Sequence, residues 1–361
     1  MGGRVWIACQ PNSWYDEMQI LFLPSFGATR MKKLLPAFGA TALLMASIPA
    51  AFAADAMSLM LNWTPTADHA PIYFAKSKGW YTEAGIDLNI EAGKGSAVSA
   101  QRVGTGGAEL GIADLPTAIQ AKGKGADVKA VMVIYANSPQ GFYWLKSSGI
   151  GGPKDFAGRK IGNPPGDAAR LMWPAFAKKV GLDPASVSFV NVSPQAKVAA
   201  LKSKSVDIIS DFYNEHDLKA REFGSDLGFQ PWRDAGVNVY GNSLIVNGAY
   251  LAKNAAQVKK FVAVTQRAYD ACVKSFDPCL QALTASVSGL TPDNQRDQWN
   301  RIKQLMRDDT TTKVALGAFD GQRVKADYDL VSSLIGIDKP YDPAALFTND
   351  FLDKGVRMAP N

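Results

Sequence analysis

Beginning near residue 55, short apolar runs of β type alternate with helix-like stretches: "MSLMLNW", "HAPIYFAKSK" up to Gly79, "DLNIEA", "AVSAQRVG", "LGIAD", "LPTAIQAKG" and "VKAVMVIY". Parallel strands need a crossover long enough to hold a helix, so this order predicts βαβ units and an α/β fold. A second series follows the turn-rich "KSSGIGGPKDFAG" and reads "KIGN", "DAARLMWPAFAKKVG", "SVSFVNV", "PQAKVAALKSK" and "VDIISDF". Two series predict two lobes. The Gly/Ser/Pro-rich segment 147–153 is the expected first crossing and "VNVYGNSLIVNG" the return, after which the chain is mainly helical. The expected division is lobe one from 54–148 plus 244–361 and lobe two from 149–243. Ligands of open α/β sheets bind beyond the carboxyl ends of the strands, so a cleft between the lobes, closed by a hinge, is the expected site.

The region before residue 54 reads differently. "MKKLLPAFGATALLMASIPAAFAADA", from Met31, has two lysines, an apolar run and small residues at Ala51 and Ala53 in an A-x-A arrangement, which is the pattern of a secretory signal peptide over 31–53. The run is shorter than the ~20 residues a bilayer span requires. Residues 1–30 then read as upstream sequence from a misplaced start, and the expected location is the periplasm. Export in turn sets the reading of the cysteines: Cys9 falls in the discarded part, and Cys272 and Cys279 in "CVKSFDPC" are an even pair in an oxidising compartment, expected to form a disulfide. With only His69 and His216 beyond residue 53 and no HExxH or paired CxxC, no metal site is expected. Removing residues 1–53 lowers the formal charge from +6 to +4, and there is no Lys/Arg run, so nucleic acid is not an expected partner. A monomer without cofactor is expected.

Several residues are not accounted for by strand and helix patterns. Asn62 and Trp63 end the first strand, where an indole face can stack on a flat ligand and an amide can donate and accept; a core tryptophan beside a turn-forming asparagine is the other reading. Asp68 precedes a helix and reads as its N-cap, which places His69 in the first turn, kept neutral by the helix dipole and able to contact a ligand. Asp114 ends "LGIAD". In "GKGSAVS", Ser96 reads as an N-cap; in "KIGNPPGDAARLMW", Asn163, Gly166 and Asp167 lead into a helix N-terminus. Amide groups at such starts can hold an anion, although neither has Walker-A spacing. The segment "DIISDFYNEHDL" places Asp211, Tyr213, Asn214 and Glu215 at a strand end, where a carboxylate beside aromatic rings suits an amino-substituted heterocycle; solvated acids around a helix cap are the alternative. No GxSxG, no free nucleophilic cysteine and no triad is evident, so an enzyme is not expected.

Together these segments resemble the periplasmic solute-binding proteins of ABC importers in the thiamine-pyrimidine and sulfonate/nitrate superfamily. "LNWTPTADHAPIYFAKSKGWYTEAGIDL", "ELGIAD", "GIGGPKDFAGRKIG", "KSVDIISDF" and "LFTNDFL" carry the likeness in order along the chain. The resemblance implies a two-lobed type II periplasmic-binding-protein fold, ligand contacts from the Asn62-Trp63 strand end and from Tyr213–Glu215, and an ABC permease with its ATPase as partners. The fungal thiamine-pyrimidine synthase is a relative of this group. It carries a pyridoxal phosphate lysine and a substrate histidine where this chain has Ala113 and Thr117, and its cysteine-rich iron motif has no counterpart in "VNVYGNSLIVNG". The expected ligand is a small aminopyrimidine-like thiamine precursor or related heterocycle. An alkanesulfonate or nitrate is the alternative, and a synthase-like enzyme the weaker one.

Overall fold

A computed structural model describes residues 54–360. The expected signal at 31–53 and the upstream residues 1–30 lie outside the described residues. Ten strands form two five-stranded sheets. The first contains β1 (Asp55–Met60), β2 (Ile86–Glu91), β3 (Leu110–Asp114), β4 (Val128–Val133) and β10 (Asn242–Asn247), in the order β2-β1-β3-β10-β4. The second contains β5 (Gln140–Leu145), β6 (Lys160–Asn163), β7 (Ser188–Asn191), β8 (Ile208–Phe212) and β9 (Leu227–Pro231), in the order β7-β6-β8-β5-β9. Each sheet has three parallel strands followed by an antiparallel strand that arrives from the other half of the chain: β10 runs against β3 and β4, and β5 against β8 and β9.

Helices supply the crossovers. In the first half these are α1 (Ala70–Ser77), α2 (Trp80–Glu83), α3 (Ser96–Gly104) and α4 (Leu115–Gly123). Gly79 turns the chain out of α1 with φ +73°, a left-handed conformation that favours glycine. Helix α3 packs so closely on β3 that a Cβ at Gly111 would meet Ser99 Oγ at 2.6 Å. The second half uses α5 (Ala168–Lys179), α6 (Lys197–Lys202) and α7 (His216–Phe223). The carboxyl-terminal part is helical: α8 (Gly248–Lys274), α9 (Asp277–Ser286), α10 (Pro292–Leu305), α11 (Asp309–Lys313) and α12 (Gly321–Leu334). Cys272 and Cys279 are bonded across the α8–α9 turn, with Cα atoms 5.9 Å apart.

The first crossing corrects the sequence-based boundary. It runs through residues 134–139, not 147–153, because "QGFYWL" already pairs with β8 (Gln140 opposite Phe212) and with β9. Every residue of β5 is buried, so the run reads as continuously apolar rather than alternating. Its Phe142 is the centre of an aromatic cluster with Phe156, Trp173, Phe176 and Trp232, all buried, the tightest pair being Phe142–Phe176 at 4.9 Å between centroids. Burial of each such ring contributes about 2–3 kcal/mol. The return crossing, between β9 and β10, lies beside the first: Asn238 accepts from Ser138 N and donates to Asn137 Oδ1, both at 2.9 Å.

Candidate functional site

On the first sheet, the chain leaves β1 through Leu61, Asn62 and Trp63, and the corner is fixed by Gly95 N donating to Asn62 O (2.7 Å) and Gly93 N to Trp63 O (3.0 Å). Asn62 is buried and its amide is set from behind. Thr66 N donates to His69 Nδ1 (3.1 Å), so the neutral ring carries its proton on Nε2, which donates to Asn62 Oδ1 (3.1 Å). Asn62 Nδ2 donates to Asn242 Oδ1 (3.0 Å), and Asn242 Nδ2 to Asp68 Oδ2 (3.1 Å). Burial lowers the His69 pKa and outweighs Asp68, whose Oδ1 lies 3.1 Å from Nδ1. The neutral state expected from the sequence therefore comes from burial.

On the second sheet, β8 ends in Asp211 and Phe212 and turns through a short 3-10 helix, Tyr213–Glu215, into α7. Two buried lysines converge there. Lys219 Nζ lies 2.6 Å from Asp211 Oδ2 and 3.4 Å from Glu215 Oε2. Lys197 Nζ donates to Ser210 O (2.9 Å) and lies 3.4 Å from Asp211 Oδ1 and 3.6 Å from Asp167 Oδ2. Burial would raise the Asp211 pKa, but the two ammonium groups outweigh it and hold the carboxyl below the usual range. Glu215 is pushed up by burial and by Asp211, and Asp167 by burial. Burial works against the charge of Lys197, but its three carboxylate neighbours hold its pKa up.

Between the two walls is a cavity. Its lining includes Asn62, Trp63, Asp68, Ser96 and Asp114 from the first half, and Asp167, Asp211, Asn214 and Glu215 from the second, all read from the sequence as candidates. Four other candidates stand off the lining. His69 is behind Asn62. Asn163 is buried and accepts from Arg170 Nε (3.0 Å). Tyr213 is held between the guanidinium groups of Arg233 and Arg301, 4.3 and 4.5 Å from its ring centre. Gly166 touches the opposite half: Ala97 N donates to Gly166 O (3.2 Å), and a Cβ at Gly95 would come 2.3 Å from that oxygen.

Two expected caps are corrected. Thr66, not Asp68, precedes the first helical turn, and Asp68 instead accepts from Thr66 Oγ1 (2.6 Å) and Asn242. Gly95 is the N-cap of α3, while the Ser96 hydroxyl donates to Asp114 Oδ2 and accepts from Asp114 N, both at 3.0 Å. Asp167 does cap α5, accepting from Ala169 N at 2.8 Å. Lys197 was missed by sequence reasoning. In "PQAKVAALKSK" it looks like any exposed helix-start lysine, and a "D" at each of positions 167 and 211 was the only hint that a cation is needed.

A family model described as NMT1/THI5 like matches residues 66–277. The 4-amino-5-hydroxymethyl-2-methylpyrimidine phosphate synthase THI12 of Saccharomyces cerevisiae is 30% identical over 133 residues, 36% of this chain and 38% of that protein. The formylaminopyrimidine-binding protein of Halalkalibacterium halodurans is 21% identical over 203 residues, 56% of this chain and 62% of that protein. The chain thus spans less than two thirds of either relative. Among solved structures, the alkanesulfonate-binding protein SsuA from Xanthomonas axonopodis pv. citri, bound to MOPS, superimposes with a TM-score of 0.66 at 15% identity, over 81% of this chain and 98% of that one. The fold is that of the periplasmic binding proteins, as the resemblance implied, and by the match over residues 66–277 the chain belongs to the NMT1/THI5-like family.

Proposed function

We propose that this chain is the extracytoplasmic receptor of an ABC importer, which captures a small aminopyrimidine-like thiamine precursor or related heterocycle and delivers it to an inner-membrane permease and its ATPase. The observation that carries this reading is the composition of the cavity wall: one indole beside Asp68, Asp114, Asp167, Asp211 and Glu215, with Lys197 as the lining cation. Such a wall favours a flat ligand rich in N–H donors. Among the described residues no helix is long and apolar enough to cross a membrane, in keeping with a receptor that works beside its permease.

The anion reading loses support at the helix starts. The Ala97 amide of α3 is taken by Gly166 O, and the Ala169 amide of α5 by the Asp167 carboxylate. Turnover of the synthase kind is also poorly supported. Ala113 and Thr117 cannot supply the lysine and histidine of that chemistry, and Lys197 is held charged by its carboxylate neighbours, which removes the nucleophilic amine a Schiff base needs.

A thermal-shift screen of aminopyrimidines, alkanesulfonates and nitrate tests the ligand class, since a ligand of the folded state raises the midpoint. Calorimetry with the best ligand then tests the site. Trp63→Ala is expected to weaken binding by ~1–3 kcal/mol through lost stacking. Glu215→Gln is expected to cost a comparable amount, because an amide N–H then faces a ligand N–H. Unchanged affinity in both variants, with normal unfolding curves, overturns the reading.

A further inference from the structure

Resting on the receptor reading above, we propose that Asp114 is a specificity-determining residue of the cavity: in its carboxylic acid form it donates a hydrogen bond to a ring nitrogen and accepts one from the adjacent amino group of an aminopyrimidine-type ligand.

The geometry around Asp114 differs from that of its acidic neighbours. Asp114 ends β3, is 4% exposed, and lines the cavity. Ser96 Oγ occupies its Oδ2 and anchors its backbone amide, which fixes the carboxyl and leaves Oδ1 without a hydrogen bond among the described residues. Asp211 is neutralised by Lys197 and Lys219, and Asp167 faces Lys197. Asp114 forms no ion pair among the described residues.

Of the charged and titratable groups around the cavity, Asp167 acts against its ionisation. Across the cleft stands Asp167, with Lys197, Asp211 and Glu215 beyond it; on its own side are Asp68, His69 and Tyr135. Burial is the main cause that raises Asp114; the Ser96 hydrogen bond opposes it and the charge of Asp167 adds to it, leaving the group at about 7. Around neutral pH the carboxyl therefore holds a proton for much of the time. A carboxylic acid presents a donor beside an acceptor, the complement of an amino N–H beside a ring lone pair. A carboxylate would set an acceptor against that lone pair. From the opposite wall, Asn214 Oδ1 is buried without a donor, an acceptor for the second amino hydrogen.

The proton balance follows directly. A neutral ligand joins an already protonated Asp114, and the proton stays within the acid–ring pair. Above the pKa of Asp114 the free site has lost that proton and must regain one from solvent, so affinity falls as pH rises.

The test is calorimetric titration of the protein with 4-amino-2-methylpyrimidine at about pH 6.5 and about pH 8.5. Wild type is expected to bind roughly tenfold or more weakly at the higher pH, from the protonated fraction of a group near 7. Asp114→Asn, whose amide also offers a donor beside an acceptor, is expected to bind at both pH values about as wild type does at the lower one. Asp114→Ala is expected to be weak at both. Asp167 and Glu215 remain in Asp114→Asn, so a pH dependence that is present in wild type and lost in this variant belongs to Asp114. Ser96→Ala, which removes the hydrogen bond that favours the carboxylate, is expected to move the fall in affinity to higher pH and serves if Asp114→Asn misfolds. 3-Methylaniline, which keeps the amino group without a ring nitrogen, is expected to bind weakly with no pH dependence. A flat wild-type profile, or Asp114→Asn as weak as Asp114→Ala, overturns this inference, while weakening of the probe by Trp63→Ala leaves the receptor reading standing. No binding of the probe to wild type at either pH overturns the reading and this inference with it.

Discussion

The ammonium group of Lys197 lies 4.6 Å from the centre of the Trp63 ring, and so links the wall built on β8 to the strand end of β1. A cation over an indole face contributes about 1–2 kcal/mol when desolvated. The same ammonium answers Asp167 and Asp211, so one side chain touches the first half through Trp63 and balances two acids of the second.

Lys197→Met keeps an unbranched apolar stem, one atom shorter, and removes the charge. Asp167 is then left without its cation in a buried site, while Asp211 keeps Lys219, and a loss of ~3 kcal/mol in urea unfolding is expected at pH near 8. Without the cation Asp167, already raised by burial, is pushed up further, so the native state of the variant binds extra protons as pH falls. The deficit is therefore expected to shrink at pH near 5. An equal deficit at both pH values would show that lost packing, not charge, dominates.

Gly95→Ala tests the contact between the halves. Gly95 has φ +128°, and a Cβ there would meet Gly166 O at 2.3 Å. The variant is expected to favour a more open form, with a larger radius of gyration by small-angle scattering and weaker ligand binding. A wild-type scattering profile together with wild-type affinity would argue against closure through this contact.

Asp327 on α12 accepts from Tyr240 N (3.0 Å), beside the return crossing, and is pushed up to about 7, chiefly by burial. Its value in the unfolded chain is near 3.8, so the native state binds more protons between these limits and stability falls as pH rises through that window. Asp327→Asn keeps an acceptor for Tyr240 N and removes the titration. It is expected to be stabilising by ~2–4 kcal/mol at pH 8 and close to neutral at pH 4. Chemical denaturation at the two pH values checks the sign.

The Cys272–Cys279 bridge closes a short loop, so its effect on the unfolded chain is small. The double substitution to serine is expected to cost about 2 kcal/mol. Scanning calorimetry of oxidised protein, reduced protein and the double variant should give reduced protein and variant alike. Phe276 of the same turn, stacked at 4.7 Å on Trp299 of α10, should keep the helices together without the bond.

How much of this was legible in the sequence depends on whether a signal is local. "KIGN" and "LGIAD" coincide with β6 and β3 residue for residue, because short apolar runs bounded by turns determine their own ends. Trp63, Asp211 and Glu215 stood out because strand ends seldom place indole and acids together without reason. The crossing was misplaced because β5 is recognisable only by its partners: an all-buried strand has no alternation, and the turn after it carries the stronger Gly/Pro signal. Lys197 and the Ser96–Asp114 pair were out of reach for the same reason. Each gains its meaning from a residue 14 to 30 positions away on another element. Asp68 was read as a cap because its true acceptor role depends on Asn242, 174 residues distant.

The hydrogen bonds from His69 through Asn62 and Asn242 to Asp68 all donate in one sense. Turning the Asn62 amide over would oppose donor to donor at His69 and acceptor to acceptor at Asn242, so its orientation is locked before any ligand arrives. A wall of freely rotating amides would greet a guest and its mirror arrangement of donors and acceptors alike. Here the remaining Asn62 N–H and lone pair are fixed in place. On the receptor reading, the first half of the protein would distinguish head from tail in a ligand through groups that these bonds already hold in place.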